Sequence, residues 1–297
     1  MPDESPPQCP ICGDGHPDLR YQITRFQVFC YKSCDQIYLY PLPSPEEIRE
    51  MFARLYTSGE GSVPELKSYY GYCYDDEPDN PLVQLYEGWL DEIEKHHEPG
   101  RLLDVGCGTG LFLSAARRRG WQPFGIDDSE EATKYAREEF GLDVWVGDFK
   151  DFHAENRRFD VITGWDILEH ARKPLEVLEA MRNCLAPSGV VALSTPNQRN
   201  ILDLVAGTFY RLSGGRATGY LEKFYIEQHF LYYTPDTLAQ ALQRAGFEVA
   251  KMAREGTDLR RLSLSPFMRL VLEALFLAAR LTGLQTRLFV IGRPRPA

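Results

Sequence analysis

The chain reads as an α/β protein whose parallel sheet is covered by helices on both faces, and three observations carry that expectation. Apolar strand-like runs alternate with amphipathic helical stretches from about residue 100 onwards. The first of these runs, RLLDV at 101–105, passes through Gly106, Gly108 and Gly110 straight into the helical LFLSAARRRG. The next, WQPFGID, ends in an acid, Asp127. Strand, glycine turn and helix in that order put backbone amides at a helix N-terminus, a setting for an anionic or polar cofactor group. A carboxylate at the end of the second strand can accept hydrogen bonds from both hydroxyls of a ribose.

The remaining elements follow the same alternation. Residues 1–40 form a cysteine-bearing prefix, 41–98 a connector and 99–297 the α/β domain. In the connector, Ser44, Pro45 and Glu47 make a capping-box start with proline at the first helical position, and Ile48, Met51, Phe52 and Leu55 form the apolar stripe. A tyrosine-rich acidic loop follows, with Tyr70 and Tyr72 as candidates to close over a ligand, and then a helix around PLVQLYEGWLDEIEKHH. Past the glycine turn, Ser129 caps a helix with Glu130 and Glu131 in its first turn, and Gly141 stops it. LDVWVGDF gives a third strand ending at Asp148 and Phe149, and FDVITGWDILEH a fourth with its exit. A helix from about Pro174 to Leu185 leads to APSGVVALSTPN, a turn and fifth strand. Thr234-Pro235 opens the next helix, FEVAKM is a sixth strand and TRLFVIGRP a seventh.

The dinucleotide fingerprint G-x-G-x-x-G/A is not met, because the third glycine comes one residue early and Leu111 stands in its place. LLDVGCGTG followed by GID resembles the first two motifs of class I S-adenosylmethionine (SAM)-dependent methyltransferases. The resemblance covers about residues 100–295 and implies a Rossmann-like seven-stranded sheet in the order 3-2-1-4-5-7-6, its seventh strand antiparallel. It also implies a SAM site of Asp104, Gly106, Gly108, Gly110, Asp127, Asp148 and Phe149. There the turn packs on the methionine part, Asp127 holds the ribose, and Asp148 and Phe149 flank the adenine. A plain tight turn and a nicotinamide dehydrogenase are the competing readings.

Ligands of open α/β sheets sit beyond the carboxyl ends of the strands. WDILEH therefore offers Asp166, Glu169 and His170 as groups that could deprotonate an acceptor, and its LEH triplet resembles the quinone-biosynthesis type of O-methyltransferase. His229, in EQHFLYYTPDTL, is the second candidate base, since histidine titrates near neutrality. For either histidine a hydrogen bond within the fold is an equal alternative. Asn197, at the end of the fifth strand, could orient a substrate oxygen or simply satisfy its loop. The fourth strand is not followed by the Asn/Asp-Pro-Pro-Tyr clamp of amino-group methyltransferases. With a net charge of −10, this disfavours nucleic acid and favours a small molecule with an oxygen or carbon nucleophile. O-methylation of a quinone-like, phenolic or lipid-type acceptor leads. C-methylation of a nucleotide-linked sugar and a silent nucleotide-binding partner protein are the alternatives.

Four of the seven cysteines fall in two pairs near the start, Cys9 with Cys12 and Cys30 with Cys34. Two such pairs can complete the tetrahedron of a structural zinc ion, and CPICG resembles a zinc-ribbon knuckle. The second pair departs from that pattern in its spacing and in having Asp35 where glycine is expected, so His16 could replace one ligand. The odd cysteine count argues against a disulfide framework. MPDESPPQ lacks the character of a secretory leader and no run of 18 uncharged apolar residues occurs, so a cytoplasmic, non-spanning chain is expected. Insertions at 198–230 and 253–284 are the expected seats of specificity, the first as a lid. Within the second, the apolar helix at 266–282 keeps Arg269, Glu273 and Arg280 on one face. Its apolar side is expected to pack on the domain or on a second copy in a homodimer, with shallow insertion into a membrane surface as the alternative.

Overall fold

The structure, a computed structural model, describes residues 8–58, 71–152 and 157–296. Three short strands come first, β1 (Pro17–Gln22), β2 (Gln27–Tyr31) and β3 (Gln36–Tyr40), paired as an antiparallel meander. Helix α1 (Pro45–Ser58) starts with the expected reciprocal cap, in which the Glu47 amide donates to Ser44 Oγ (3.2 Å) and the Ser44 amide to Glu47 Oε2 (2.6 Å). Met51 is buried, whereas the side chains of Phe52 and Leu55 lie outside the described set, as does Tyr70. Asn80 caps α2 (Pro81–Ile93), with proline at the first helical position.

The main sheet is then built by β4 (Arg101–Val105), α3 (Leu111–Arg118), β5 (Gln122–Asp127), α4 (Glu130–Glu138), β6 (Val144–Val146), β7 (Phe159–Trp165), α5 (Pro174–Cys184) and β8 (Leu185–Pro196). After α6 (Ile201–Leu212), the two-residue β9 (Leu231–Tyr232) and α7 (Pro235–Arg244), it is finished by β10 (Phe247–Glu255), α8 (Pro266–Thr282) and β11 (Arg287–Pro294). Its order is β10-β11-β8-β7-β4-β5-β6, with β11 antiparallel to both neighbours, which is the order the resemblance implies. Alternate residues of the central strands feed two cores. Leu103, Ile162, Val191 and Val290 join Leu178 and Met181 of α5 on one face. Leu102, Val161, Val190 and Phe289 join Leu90 of α2 and Phe112 of α3 on the other. Each such side chain contributes roughly 1.5–3 kcal/mol on burial.

The small sheet has a feature that the sequence did not suggest. β3 pairs antiparallel with β9, Ile37 opposite Tyr232 and Tyr38 opposite Leu231, so the meander receives its fourth strand from beyond residue 230. Arg20 pairs with Asp203 of α6 at 2.6 Å, and Tyr21, Val28 and Leu39 pack with Leu221, Tyr225 and Tyr232. Gly207 of α6 allows this approach, because a Cβ there would lie 2.2 Å from the Tyr21 hydroxyl.

For α8, burial against the rest of the chain does not occur as expected. Ala279 is its one fully buried residue, while Phe267, Leu270 and Leu281 are 74, 66 and 82 % exposed. Its neighbour α6 likewise leaves Phe209 and Leu212 exposed. Among the described residues no helix is long and apolar enough to cross a membrane.

Candidate active site

The glycine turn is held from below by Asp127. The Gly108 amide donates to Asp127 Oδ2 (2.8 Å) and the Ser129 amide to Oδ1 (2.9 Å), while the Gly106 amide donates to the Ile126 carbonyl (2.7 Å). Gly106, Gly108 and Gly110 all have positive φ, which favours glycine. A Cβ on Gly106 would also lie 2.1 Å from Ile167 Cδ1. Asp127 is nearly buried, and burial pushes its carboxyl up to about 6 against the opposing pull of the two amides. Each of its oxygens retains a second lone pair, which suits a ribose diol. Asp104 lies deeper and accepts from Thr163 Oγ1 (2.6 Å); burial pushes it up to about 7. Its partner is thus in β7, the neighbouring strand. Asp148 is exposed and caps the short turn Phe149–Asp151, beside the buried Phe149 ring.

The connector loop closes one side of the turn. Thr109 Oγ1 donates to the Cys73 carbonyl (2.5 Å), and Ser114 Oγ donates to Asp76 (2.9 Å). Tyr72 points the other way, its hydroxyl donating to the Arg260 carbonyl (3.1 Å).

Beyond β7 the chain passes Asp166, at φ 56°, into the short turn Leu168–His170. Asp166 Oδ1 accepts from Arg287 Nη2 (2.5 Å), which also reaches Ser194 Oγ (2.6 Å). That ion pair ties Asp166 to the start of β11. His170 and His229 meet, ring centroids 4.9 Å apart, although nearly sixty residues separate them in the chain. His170 Nδ1 lies 2.6 Å from the Gln228 carbonyl. A carbonyl only accepts, so Nδ1 carries the proton and Nε2 the lone pair. Burial holds both imidazoles below their ordinary range, His229 far below, assisted by the neighbouring His170 and Arg287 charges. Both are therefore neutral at pH 7, and His170 is the less resistant of the two to taking a proton.

Glu169 stands behind them, fully buried, with Oε2 accepting from Thr195 Oγ1 (2.8 Å). Burial and the Asp166 charge keep its carboxyl protonated well above the usual range. Donor atoms of Glu169, His170 and His229 lie within 4.8 Å of one another, a set that a divalent cation could use. Asn197, by contrast, is buried and donates to the Arg199 and Gln285 carbonyls (3.1 and 2.6 Å), so it serves its own loop. Thr163, Thr195, Gln228 and Arg287 were not singled out from sequence. For Thr163, Thr195 and Arg287 the usable signal was a polar or charged residue inside an otherwise apolar strand, whereas Gln228 acts through its backbone carbonyl and left none.

In the prefix, the thiols of Cys9, Cys12 and Cys34 gather within 4.8 Å of one another. The 3.6 Å between Cys9 and Cys34 Sγ is near the edge of a tetrahedron with ~2.3 Å metal–sulfur bonds. Cys30 does not join them. It sits in β2 opposite Ile37 and packs with the Tyr21–Leu39 cluster. His16 does not either, its side chain being 97 % exposed. The altered spacing explains this: a two-residue gap before Cys34 falls on Tyr31, which is wholly buried. Ser33 Oγ lies 3.2 Å from Cys12 Sγ and donates to Asp14 (2.7 Å), giving an oxygen on the remaining side. Asp35 adopts φ 59°, as a glycine would have done.

Comparison with known proteins places this architecture. A methyltransferase-domain family model matches residues 82–252. The chain belongs to that family. A ubiquinone biosynthesis O-methyltransferase of Xanthomonas campestris is 37 % identical over 131 residues, covering 41 % of this chain and 55 % of that protein. One from Neisseria meningitidis is 31 % identical over 176 residues, covering 54 % and 70 %. The chain thus spans about half the length of the Xanthomonas relative. Magnesium protoporphyrin IX methyltransferase from Synechocystis, solved with bound SAM, matches in fold with a TM-score of 0.53 at 11 % identity, covering 86 % of this chain and 100 % of that one. A SAM-dependent methyltransferase from Archaeoglobus fulgidus gives 0.50 at 18 %, covering 75 % and 99 %.

Proposed function

We propose that this methyltransferase-family protein transfers a methyl group from SAM to an oxygen of a small quinone-like, phenolic or lipid-type acceptor. The pairing of His170 and His229 beyond β7, with His170 Nδ1 against a backbone carbonyl, is the observation that carries the reading. Asp127 would take the ribose hydroxyls, with Asp148 and Phe149 at the adenine and the glycine turn against the methionine part. SAM, when bound, supplies an electrophilic methyl on a positively charged sulfur.

The chain's own residues do the rest. His170 Nε2 would take the proton of an acceptor hydroxyl directed at it as that oxygen receives the methyl, the electron pair of the broken carbon–sulfur bond staying with a neutral thioether product. His229, packed against His170, excludes water and is the alternative proton acceptor. Protonated Glu169 and the Arg287–Asp166 pair hold the surrounding charge fixed. Positioning contributes roughly 7–11 kcal/mol in favourable cases and a base about 10²–10⁴-fold. The relatives named for ubiquinone biosynthesis support an aromatic hydroxyl as the acceptor.

We also propose that Cys9, Cys12 and Cys34 hold a structural zinc ion, and that the exposed apolar sides of α6 and α8 rest on a lipid surface. Exposed Arg211 and Arg280 add attraction to acidic headgroups. Mass spectrometry of a quinol or catechol incubated with SAM and the protein tests the central claim. A gain of one methyl on oxygen is expected, and a product methylated on carbon would overturn it. Co-sedimentation with acidic liposomes tests the surface; a Leu270→Asp variant should stay in solution, and wild-type protein that forms dimers and ignores liposomes would overturn the lipid contact.

A further inference from the structure

Three thiols supply three corners of a zinc tetrahedron, and the turn between β2 and β3 offers a group for the fourth. The Cys34 and Asp35 amides both donate to the Tyr31 carbonyl (3.2 and 2.8 Å), which folds the chain back and puts Ser33 at the exposed tip. There Ser33 Oγ stands 3.2 Å from Cys12 Sγ. A sulfur and an oxygen sharing one tetrahedral metal, with bonds of about 2.3 and 2.0 Å, are roughly 3.5 Å apart.

The Ser33 hydroxyl has one hydrogen, and Asp14 Oδ2 accepts it at 2.7 Å. What Ser33 turns to Cys12 is therefore a lone pair. Oxygen and sulfur lone pairs at this distance repel unless a proton or a cation lies between them, and thiols that bind zinc give up their protons. The knuckle is prepared for that loss, because the Ile11 and Cys12 amides both donate to Cys9 Sγ (3.4 Å each) and so favour a thiolate. Asp14 is itself fixed, its Oδ1 accepting from the His16 amide (2.9 Å). It is not among the groups that meet within 4.8 Å at the thiols, so it serves them through Ser33. The other candidates are engaged elsewhere. Cys30 packs with the Tyr21–Leu39 cluster, the His16 ring is in solvent, and the Tyr31 ring meets Tyr38 edge-on with centroids 6.5 Å apart.

We propose that Ser33 is the fourth ligand of the zinc ion held by Cys9, Cys12 and Cys34, and that Asp14 orients its hydroxyl so that a lone pair faces the metal. This rests on the zinc reading above. A neutral hydroxyl binds zinc more weakly than a thiolate does. The ion therefore has one weak corner, on the side that solvent and competing ligands reach, and exchanges more readily than it would from four thiolates.

Cobalt(II) bound to the full chain under reducing conditions reports the ligand set through its absorption, and competition with a chromophoric chelator reports zinc affinity. Ser33→Cys should tighten zinc by about tenfold or more, strengthen the sulfur-to-cobalt charge-transfer band and move the visible bands to longer wavelength. Ser33→Ala and Asp14→Ala should each weaken zinc by about tenfold or more with circular dichroism unchanged. His16→Ala and Cys30→Ser should match wild type in both readouts. Wild-type zinc affinity and an unaltered cobalt spectrum in Ser33→Ala would overturn the proposal. So would a spectrum changed by His16→Ala or Cys30→Ser, which would name that residue as the ligand instead. Wild-type protein that takes up neither zinc nor cobalt would sink the three-cysteine site itself, whereas metal bound with no regard to Ser33 would sink only the serine.

Discussion

Asp104, the glycine turn, Asp127 and Phe149 come from one continuous stretch of strand–helix units, whereas the acceptor side draws on residues from four distant places. His170 follows β7, His229 lies at the end of the 198–230 insertion, Arg287 opens β11, and the meander of residues 17–40 braces them from outside. The brace is concrete. The Leu39 amide donates to the Phe230 carbonyl (3.0 Å), and the Phe230 amide to the Glu169 carbonyl (2.8 Å). A cofactor common to many reactions can be held by a local, self-contained motif. An acceptor particular to one reaction is met by a surface that exists only once the whole chain is assembled.

That contrast can be broken most sharply at the histidines. His170→Ala should lower turnover by about 10²–10⁴-fold with SAM affinity nearly unchanged, and full activity in that variant, in His229→Ala and in the double variant would remove the base from the mechanism. On the cofactor side the effect should fall on binding instead. Asp127→Ala loses charge-assisted hydrogen bonds of about 1.5–3 kcal/mol, so SAM affinity should drop on the order of 10- to 150-fold by calorimetry. The same carboxyl gives a pH signature. It is an acceptor when ionised and its proton leaves at about 6, so SAM affinity should fall by about tenfold between pH 7 and pH 5. Because that pKa is raised above the ordinary 3.8, this group's contribution to folding is complete below about 3.8 and is lost as the pH rises through about 6. Weaker binding at pH 5 is thus not its unfolding, and an affinity flat from pH 7 to pH 5 would remove Asp127 from the ribose.

The smallest expected effect lies farthest out. Cys34→Ser should release zinc and slow turnover a few-fold while SAM binds normally, whereas Cys30→Ser should retain the metal. Elemental analysis of both variants checks this, and metal lost equally from each would restore Cys30 as a ligand.

Much of the cofactor side was legible because each signal is local. Glycines with positive φ, Asp127 at a strand end and Ser129 at a helix start are each fixed by their immediate neighbours. The strand order was implied by the resemblance that LLDVGCGTG and GID carry, and the sheet has it. The pairing of His170 with His229 was not legible, since it depends on where a long insertion returns. The separation of Cys30 from the other thiols depends on which face of β2 each residue takes, and one added residue reverses that. Whether α8 packs on its own domain was not legible either, because its composition describes a covered helix while its neighbours in the chain leave most of it open.

The pairing of β3 with β9 sets an order of events during synthesis. Gln36 reaches the Tyr232 carbonyl across 196 positions of sequence, so the meander leaves the ribosome long before its fourth strand exists. Until then the edge of β3 carries unpaired backbone groups, the kind of edge that invites another chain. The pairing of β3 with β9 and the contact of His229 with His170 both depend on the segment that ends at Tyr232, so neither can form until that segment has been made.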